Sequence, residues 1–224
     1  MIDPTILFQD QHLLAVDKPA GILSVPPAGG GRPNLADHLR RRAEQKGQRL
    51  WPVHRLDQQT SGVLLFARTE DARRALERSF RERQVEKVYL ALVHGRPRPA
   101  QGTVRGFIAD LGQRARSAAA RIPGGRPAVT RYRILEVFAQ AALVEALPET
   151  GRHHQVRLHL LDLGCPIVGD RRYGAASRRA LQAGRLMLHA SRLCIRHPIS
   201  GKTLRIEAEL PGDFRSVLSR LRGE

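Results

Sequence analysis

Cysteine is scarce in this chain. Cys165 and Cys194 are the only two, and neither belongs to a C-x-x-C pattern. That excludes a multi-disulfide scaffold and the common zinc and redox motifs, and it favours a reducing compartment. No apolar run approaches membrane-spanning length. The N-terminal stretch MIDPTILFQDQHLLAVDKP has acids and no basic segment ahead of an apolar one, unlike a signal peptide. A cytoplasmic protein without a membrane segment is expected. Internal repeats are lacking too.

Acidic residues are also in short supply. Against 21 Asp and Glu stand 38 Lys and Arg, a formal net charge of +17. Such an excess repels itself, and a polyanion relieves the repulsion, so nucleic acid is the expected partner. Lysine occurs only at 18, 46, 87 and 202, so nearly all of the positive charge is arginine. Arginine grips phosphate through a planar fork and stacks on bases, although codon bias alone accounts equally well for arginine over lysine. At 224 residues and 42% hydrophobic content the chain can bury a proper core.

The pattern along the chain predicts two short strands between Thr5 and Val16, then a break at Lys18-Pro19-Ala20-Gly21. Asn34 caps a helix, with Asp37 in the reciprocal position of a capping box. Residues 62–67 form a buried strand. Thr69 caps the next helix, which carries Arg73, Arg74, Arg78, Arg81 and Arg83 mostly outside its apolar stripe. Val85 to Val93 reads as a strand, and Pro97 to Gln101 as a turn. Residues 113–126, rich in Arg, Ala and Gly, read as a mobile basic loop. A hairpin follows around Ala139-Gln140, then a helix from His154 to Leu163 stopped by Gly164. Two strands (187–195 and 203–208) and a closing helix (213–221) complete the chain. This predicts an α+β fold: a mixed, largely antiparallel central sheet flanked by helices, with a catalytic cleft across it, in a single domain spanning 1–224.

Three constellations stand out. His54 to Gly62 places polar residues directly before a buried strand, where Arg55 beside Asp57 would keep the acid ionised. A plain polar turn fits the spacing as well. Tyr89 shares a strand face with Lys87 and Ala91. Arg152 lies at a helix N-terminus, where backbone N–H groups attract anions. His153, His154 and His159 do not have metal-binding helix spacing, since His154 and His159 are five apart, so no metal is expected.

These segments resemble the RluA-type pseudouridine synthases. HRLDQQTSGVLLFAR is similar to that family's H-R-L-D-x-x-T-S-G motif with its apolar strand. EKVYLALVHG is similar to K-x-Y-x-A-L-V-x-G, and GRHHQVRLHLLDLGCPIVGDRRYG to the family's G-R-x-H-Q motif and its continuation. DKPAGILSVPP and LMLHASRLCIRHPISGK complete the set in order. His54 favours this branch, because the related RsuA branch usually has Gly there. An N-terminal RNA-binding module of ribosomal-protein type, carried by many members, is not expected.

The resemblance implies an isomerase that needs no cofactor and acts on a stem-loop of tRNA or of large-subunit ribosomal RNA. It implies Asp57 as covalent nucleophile, Tyr89 stacked on a flipped-out uridine, and Arg152 paired with Asp57. His54 and Thr60 fall within the catalytic motif, and Arg55 is implied to enter the RNA. Lys18 and Arg157 are implied to help build the cleft, with Gly169, Asp170 and Tyr173 shaping a turn. Leu188 either backs the uracil or is an ordinary core residue. A monomer is expected.

Overall fold

The computed structural model describes residues 3–27, 30–112, 114–174, 181 and 183–223. The chain forms two compact units, one comprising Met1–Glu86 with Ala190–Glu209, the other Lys87–His189 with Leu210–Glu224.

In the first unit, β1 (Ile6–Gln9) and β2 (Leu13–Lys18) form an antiparallel hairpin. β2 then pairs antiparallel with β4 (Ser61–Ala67), from Leu13 opposite Ala67 to Lys18 opposite Gly62. The two-residue β3 (Trp51–Pro52) pairs with the far end of β4, at Ala67 and Phe66. On its other side β4 neighbours β10 (Leu188–Arg196), which pairs antiparallel with β11 (Thr203–Glu207). All seven residues of β4 are buried, as its continuous apolar run implies. Leu13, Ala15, Val63, Leu65 and Ala67 share a core with Ala72 and Leu76 of α2 (Glu70–Arg81) and with Leu193, Ile195 and Ile206. The odd numbering of the β2, β4 and β10 residues follows from the two-residue period of a strand.

Both expected helix caps form. The Asn34 side chain accepts from the Asp37 N–H at 2.9 Å and donates to the Asp37 carboxylate at 2.7 Å, which starts α1 (Leu35–Glu44). Thr69 Oγ1 accepts from the Ala72 N–H at 3.4 Å. Two of the arginines on α2, Arg73 and Arg74, are tied to Glu70.

The second unit holds a sheet in the order β5 (Glu86–His94), β9 (Ala141–Pro148), β8 (Gly125–Val137), β6 (Gln101–Asp110), β7 (Ala115–Ala118). Every pairing among these strands is antiparallel. Two helices, α3 (Gln155–Asp162) and α4 (Gly212–Arg222), belong to the same unit. Its core joins Ala91 to Val93 with Val144, Val156, Leu160, Ile167, Phe214 and Leu218. The fold is therefore α+β with a mostly antiparallel sheet. Among the described residues no helix is long and apolar enough to cross a membrane.

The basic segment 113–126 departs from expectation. Residues Ala115–Ala118 are β7, paired with β6 from Phe107–Ala118 to Asp110–Ala115, and β8 already begins at Gly125; Gln113 lies outside the described residues. A backbone ladder needs no apolar periodicity, so arginines on its exposed positions hide the strand from a pattern search. β6 was hidden by its glycines. A Cβ on Gly106 would lie 2.7 Å from the Ala118 carbonyl oxygen, so the residue that reads as a breaker permits the close approach of the neighbouring chain.

Candidate active site

The segment from His54 to Thr60 leads into β4 and is fixed at every second residue. His54 Nε2 accepts the Leu65 N–H at 3.0 Å, and its ring stacks on Phe80 with centroids 5.0 Å apart. An acceptor at Nε2 requires that nitrogen to be bare, so a neutral imidazole carries its proton on Nδ1. Ser24 Oγ accepts the Leu56 N–H at 3.0 Å and donates to the Leu56 carbonyl at 2.8 Å. The Gln58 carbonyl accepts from the Gly21 N–H at 2.8 Å and from Lys18 Nζ at 3.2 Å, while Gln58 Nε2 donates to the Gly21 carbonyl at 2.9 Å. The Thr60 N–H closes a turn onto the Asp57 carbonyl at 3.1 Å, and Thr60 is itself buried.

Alternation does the rest. With 54, 56, 58 and 60 tethered inward, Arg55 and Gln59 are exposed and Asp57 is half-buried. Among the described residues no hydrogen bond or ion pair holds the Arg55 guanidinium. Past the turn, Gly62 has φ +114°, and a Cβ there would sit 2.2 Å from the Ala190 carbonyl oxygen, so only glycine lets β4 pass β10 at that point.

In the second unit, Tyr89 lies on β5 opposite Ala146 of β9, half-buried against that unit's core. Lys87, two residues earlier, donates from Nζ to the Thr150 carbonyl at 3.0 Å. Arg152 follows Thr150 in the turn before α3, and its Nε donates to the Pro127 carbonyl at 3.1 Å. Buried Gln155 organises this turn. Its Oε1 accepts from Thr150 Oγ1 at 2.6 Å and from the Arg152 N–H at 3.0 Å. Its Nε2 donates to the Val129 carbonyl and to Thr130 Oγ1, each at 2.9 Å. His154, expected as the first helical residue, is instead the N-cap, in the left-handed region at φ 55°. Such a backbone persists in a non-glycine residue only where its surroundings over-determine it. Here His154 Nδ1 lies 2.7 Å from the Tyr173 hydroxyl, and His153 Nδ1 lies 3.0 Å from Asp110 Oδ1. Burial, the largest single influence, raises the Asp110 carboxyl, but the His153 contact, the Gly112 N–H and nearby His154 together outweigh it and leave the group below its ordinary range.

A family model described as RNA pseudouridylate synthase matches residues 12–162. The chain belongs to the RNA pseudouridine synthase family. It is 43% identical over 211 residues to the dual-specificity RNA pseudouridine synthase RluA of Escherichia coli K12, covering 93% of each chain. It is 39% identical over 227 residues to the ribosomal large subunit pseudouridine synthase D of Nitrosomonas europaea, covering 97% of this chain and 65% of that one. Among solved structures it resembles human RNA pseudouridylate synthase domain containing 4, with a TM-score of 0.81 at 31% identity over 97% of this chain and 92% of that one. This chain is thus an enzyme that isomerises uridine to pseudouridine in RNA.

Within the synthase, three of the expected site residues occupy interior positions. Leu188 is 3% exposed and belongs to the core of the second unit. Arg157 forms a buried two-pronged pair with Asp170, Nε to Oδ2 at 2.8 Å and Nη2 to Oδ1 at 2.9 Å, and covers the Tyr173 ring at 4.9 Å. Asp170 also accepts the Arg172 and Tyr173 N–H groups, so the expected turn does form, with Arg157 as its counter-charge. Lys18 is fully buried; its Nζ donates to the Pro19 and Ile22 carbonyls, each at 2.8 Å, besides Gln58. Ser24 and Gln155 were not singled out in the sequence. The Ser24 partner lies 32 residues away, and two of the four Gln155 partners, Val129 and Thr130, lie 26 and 25 away, so a local pattern shows at most half of what the glutamine holds.

Proposed function

We propose that this synthase isomerises specific uridines of tRNA, of large-subunit ribosomal RNA, or of both, with Asp57 as covalent nucleophile on a flipped-out uridine. The reaction breaks the N1–C1′ bond, turns the uracil and forms a C5–C1′ bond; the proton leaves C5 and N1 gains one. Atoms balance without an oxidant, reductant or second substrate, so no cofactor is required. A carboxylate can carry the intermediate, as in retaining glycosidases.

The observation that carries this reading is the alternate tethering of residues 54–60, which presents Asp57 with little conformational freedom, as a nucleophile requires. Tyr89 stacks on the extruded base, and Arg152 supplies the guanidinium that keeps the carboxylate ionised. Arg55, exposed beside Asp57, enters the RNA where the base has left; flipping costs a few kcal/mol, least in a loop or bulge. His54, Thr60 and Lys18 act by holding the loop, Arg157 by holding the Asp170 turn, and Leu188 as packing behind the site. The printed names of the relatives, dual-specificity and ribosomal large subunit, support structured RNA as the substrate. The reading treats 1–224 as one catalytic domain, working as a monomer in the cytoplasm.

Tritium release from RNA labelled at uridine C5 tests it. Asp57→Asn should lose at least about 10⁴-fold in rate, as nucleophile substitutions do elsewhere. Retention of more than a hundredth of the wild-type rate would rule Asp57 out as nucleophile. Mapping pseudouridine in total RNA from a deletion strain and its parent identifies the target.

A further inference from the structure

At the far end of β4 from Asp57, the first unit has an open groove of about 880 Å³ whose lining includes Gln9, Gln11, Gln48, Arg49, Trp51 and Arg68. Trp51 pairs with Ala67, the last residue of β4, whereas Asp57 precedes Ser61, the first. Six residue steps of strand separate the two ends by about 20 Å. The groove is therefore distinct from the Asp57 loop.

Its two carboxylates are already engaged. Asp10 accepts the His12 and Leu13 N–H groups, each at 2.7 Å, and pairs with His197 Nε2 at 2.8 Å. Glu70 binds Arg73 and Arg74, whose hydrogen bonds bring its carboxyl down to about 2. Arg68 is occupied as well, bridging the Asp10 carbonyl and Gln48 Oε1. Arg49 is different: it is exposed, and among the described residues nothing pairs with its guanidinium. Trp51 is half-buried, and among the described residues its indole N–H has no acceptor. In an extended segment residues 49 and 51 point to the same side. An aromatic face, an uncommitted guanidinium and three glutamine amides together match a nucleotide: ring on base, fork on phosphate, amides on base edges.

We infer that this groove binds an unpaired nucleotide of the RNA substrate at a distance from the uridine being isomerised. Along an A-form RNA stem, about 20 Å spans several base steps. The groove then gauges how far a second unpaired base lies from the target, which selects among stem-loops of different length. That the groove takes a nucleotide rests only on the chain acting on RNA; the spacing to the target rests also on the proposed reaction site at Asp57.

Trp51 is the only tryptophan, so its emission reports on the groove directly. The probe is hexa-adenylate, which contains no uracil and cannot serve as a substrate. Saturable, salt-sensitive quenching is expected, unchanged in Asp57→Asn. Arg49→Ala should weaken hexa-adenylate binding about tenfold by the same signal, and Trp51→Ala by a similar factor by anisotropy of labelled RNA. Both should raise KM for the natural substrate by at least threefold. Arg49 is exposed, so its replacement leaves the fold intact and keeps the test decisive if Trp51→Ala misfolds. No quenching at millimolar hexa-adenylate, or weakening below threefold in Arg49→Ala, would overturn the inference.

Discussion

Side chains from four residues, Lys18, Ser24, His54 and Gln58, hold the loop around Asp57, while in the turn before α3 the side chain of one residue, Gln155, gathers four hydrogen bonds to itself. In the loop the tethers are spread along the chain, and each fixes between one and three backbone groups. In the turn, an amide uses its two acceptor and two donor positions at a single buried point. Spread tethers fix position and can be lost one at a time. A single hub fixes a larger piece and fails all at once.

Replacing the hub should have the largest effect. Gln155→Leu leaves the Thr150 hydroxyl, the Arg152 N–H, the Val129 carbonyl and the Thr130 hydroxyl short of a partner. A loss of about 3–5 kcal/mol in urea unfolding is expected, the size typical of a broken buried network. Ser24→Ala removes one tether of the loop and should cost only about 1–2 kcal/mol. Its signature should be kinetic: kcat falls about tenfold or more with little change in KM, because small misplacements of a reacting group are expensive in rate. Equal stability losses in the two variants would erase the contrast between hub and tethers.

The smallest effect concerns pH. His159 packs next to the hub, its Nδ1 2.8 Å from Thr130 Oγ1 and its buried Nε2 without a partner among the described residues. Burial pushes its imidazole below the ordinary histidine value, against the weaker upward pull of Asp162. As pH falls below about 6.5 the unfolded chain takes up this proton before the folded one does. Stability is therefore complete above that pH and declines below it, with a slope approaching about 1.4 kcal/mol per pH unit from this group. Urea midpoints at pH 7.5 and 5.5 should differ less in His159→Gln than in wild type. An identical difference in both proteins would exclude the turn as a source of acid sensitivity.

Much of the molecule was readable without coordinates, and the pattern of success has a physical basis. The caps at Asn34 and Thr69, the buried strand β4 and the hairpin of β8 and β9 are local; each is set by neighbours a few residues away. β6 and β7 were missed because glycine and arginine serve there for close approach and for an exposed face, not for apolar packing. Motif order gives Asp57, Tyr89 and Arg152 as the proposed site residues, whereas the grip on the Asp57 loop by Ser24 and Lys18 depends on contacts 32 and 40 residues apart. Arg157 is implied by the motif to help build the cleft, but its place as a buried counter-charge shows only once Asp170 is folded against it.

The alternation at residues 54–60 also bears on how such an enzyme can change its taste in RNA. Positions 55 and 59 face outward and contribute nothing to the tethers, so they can vary without loosening the acid between them. A library randomised at position 59 would explore substrate preference on an unchanged set of tethers, whereas position 55, the arginine of the family's H-R-L-D motif, is held by something other than the fold.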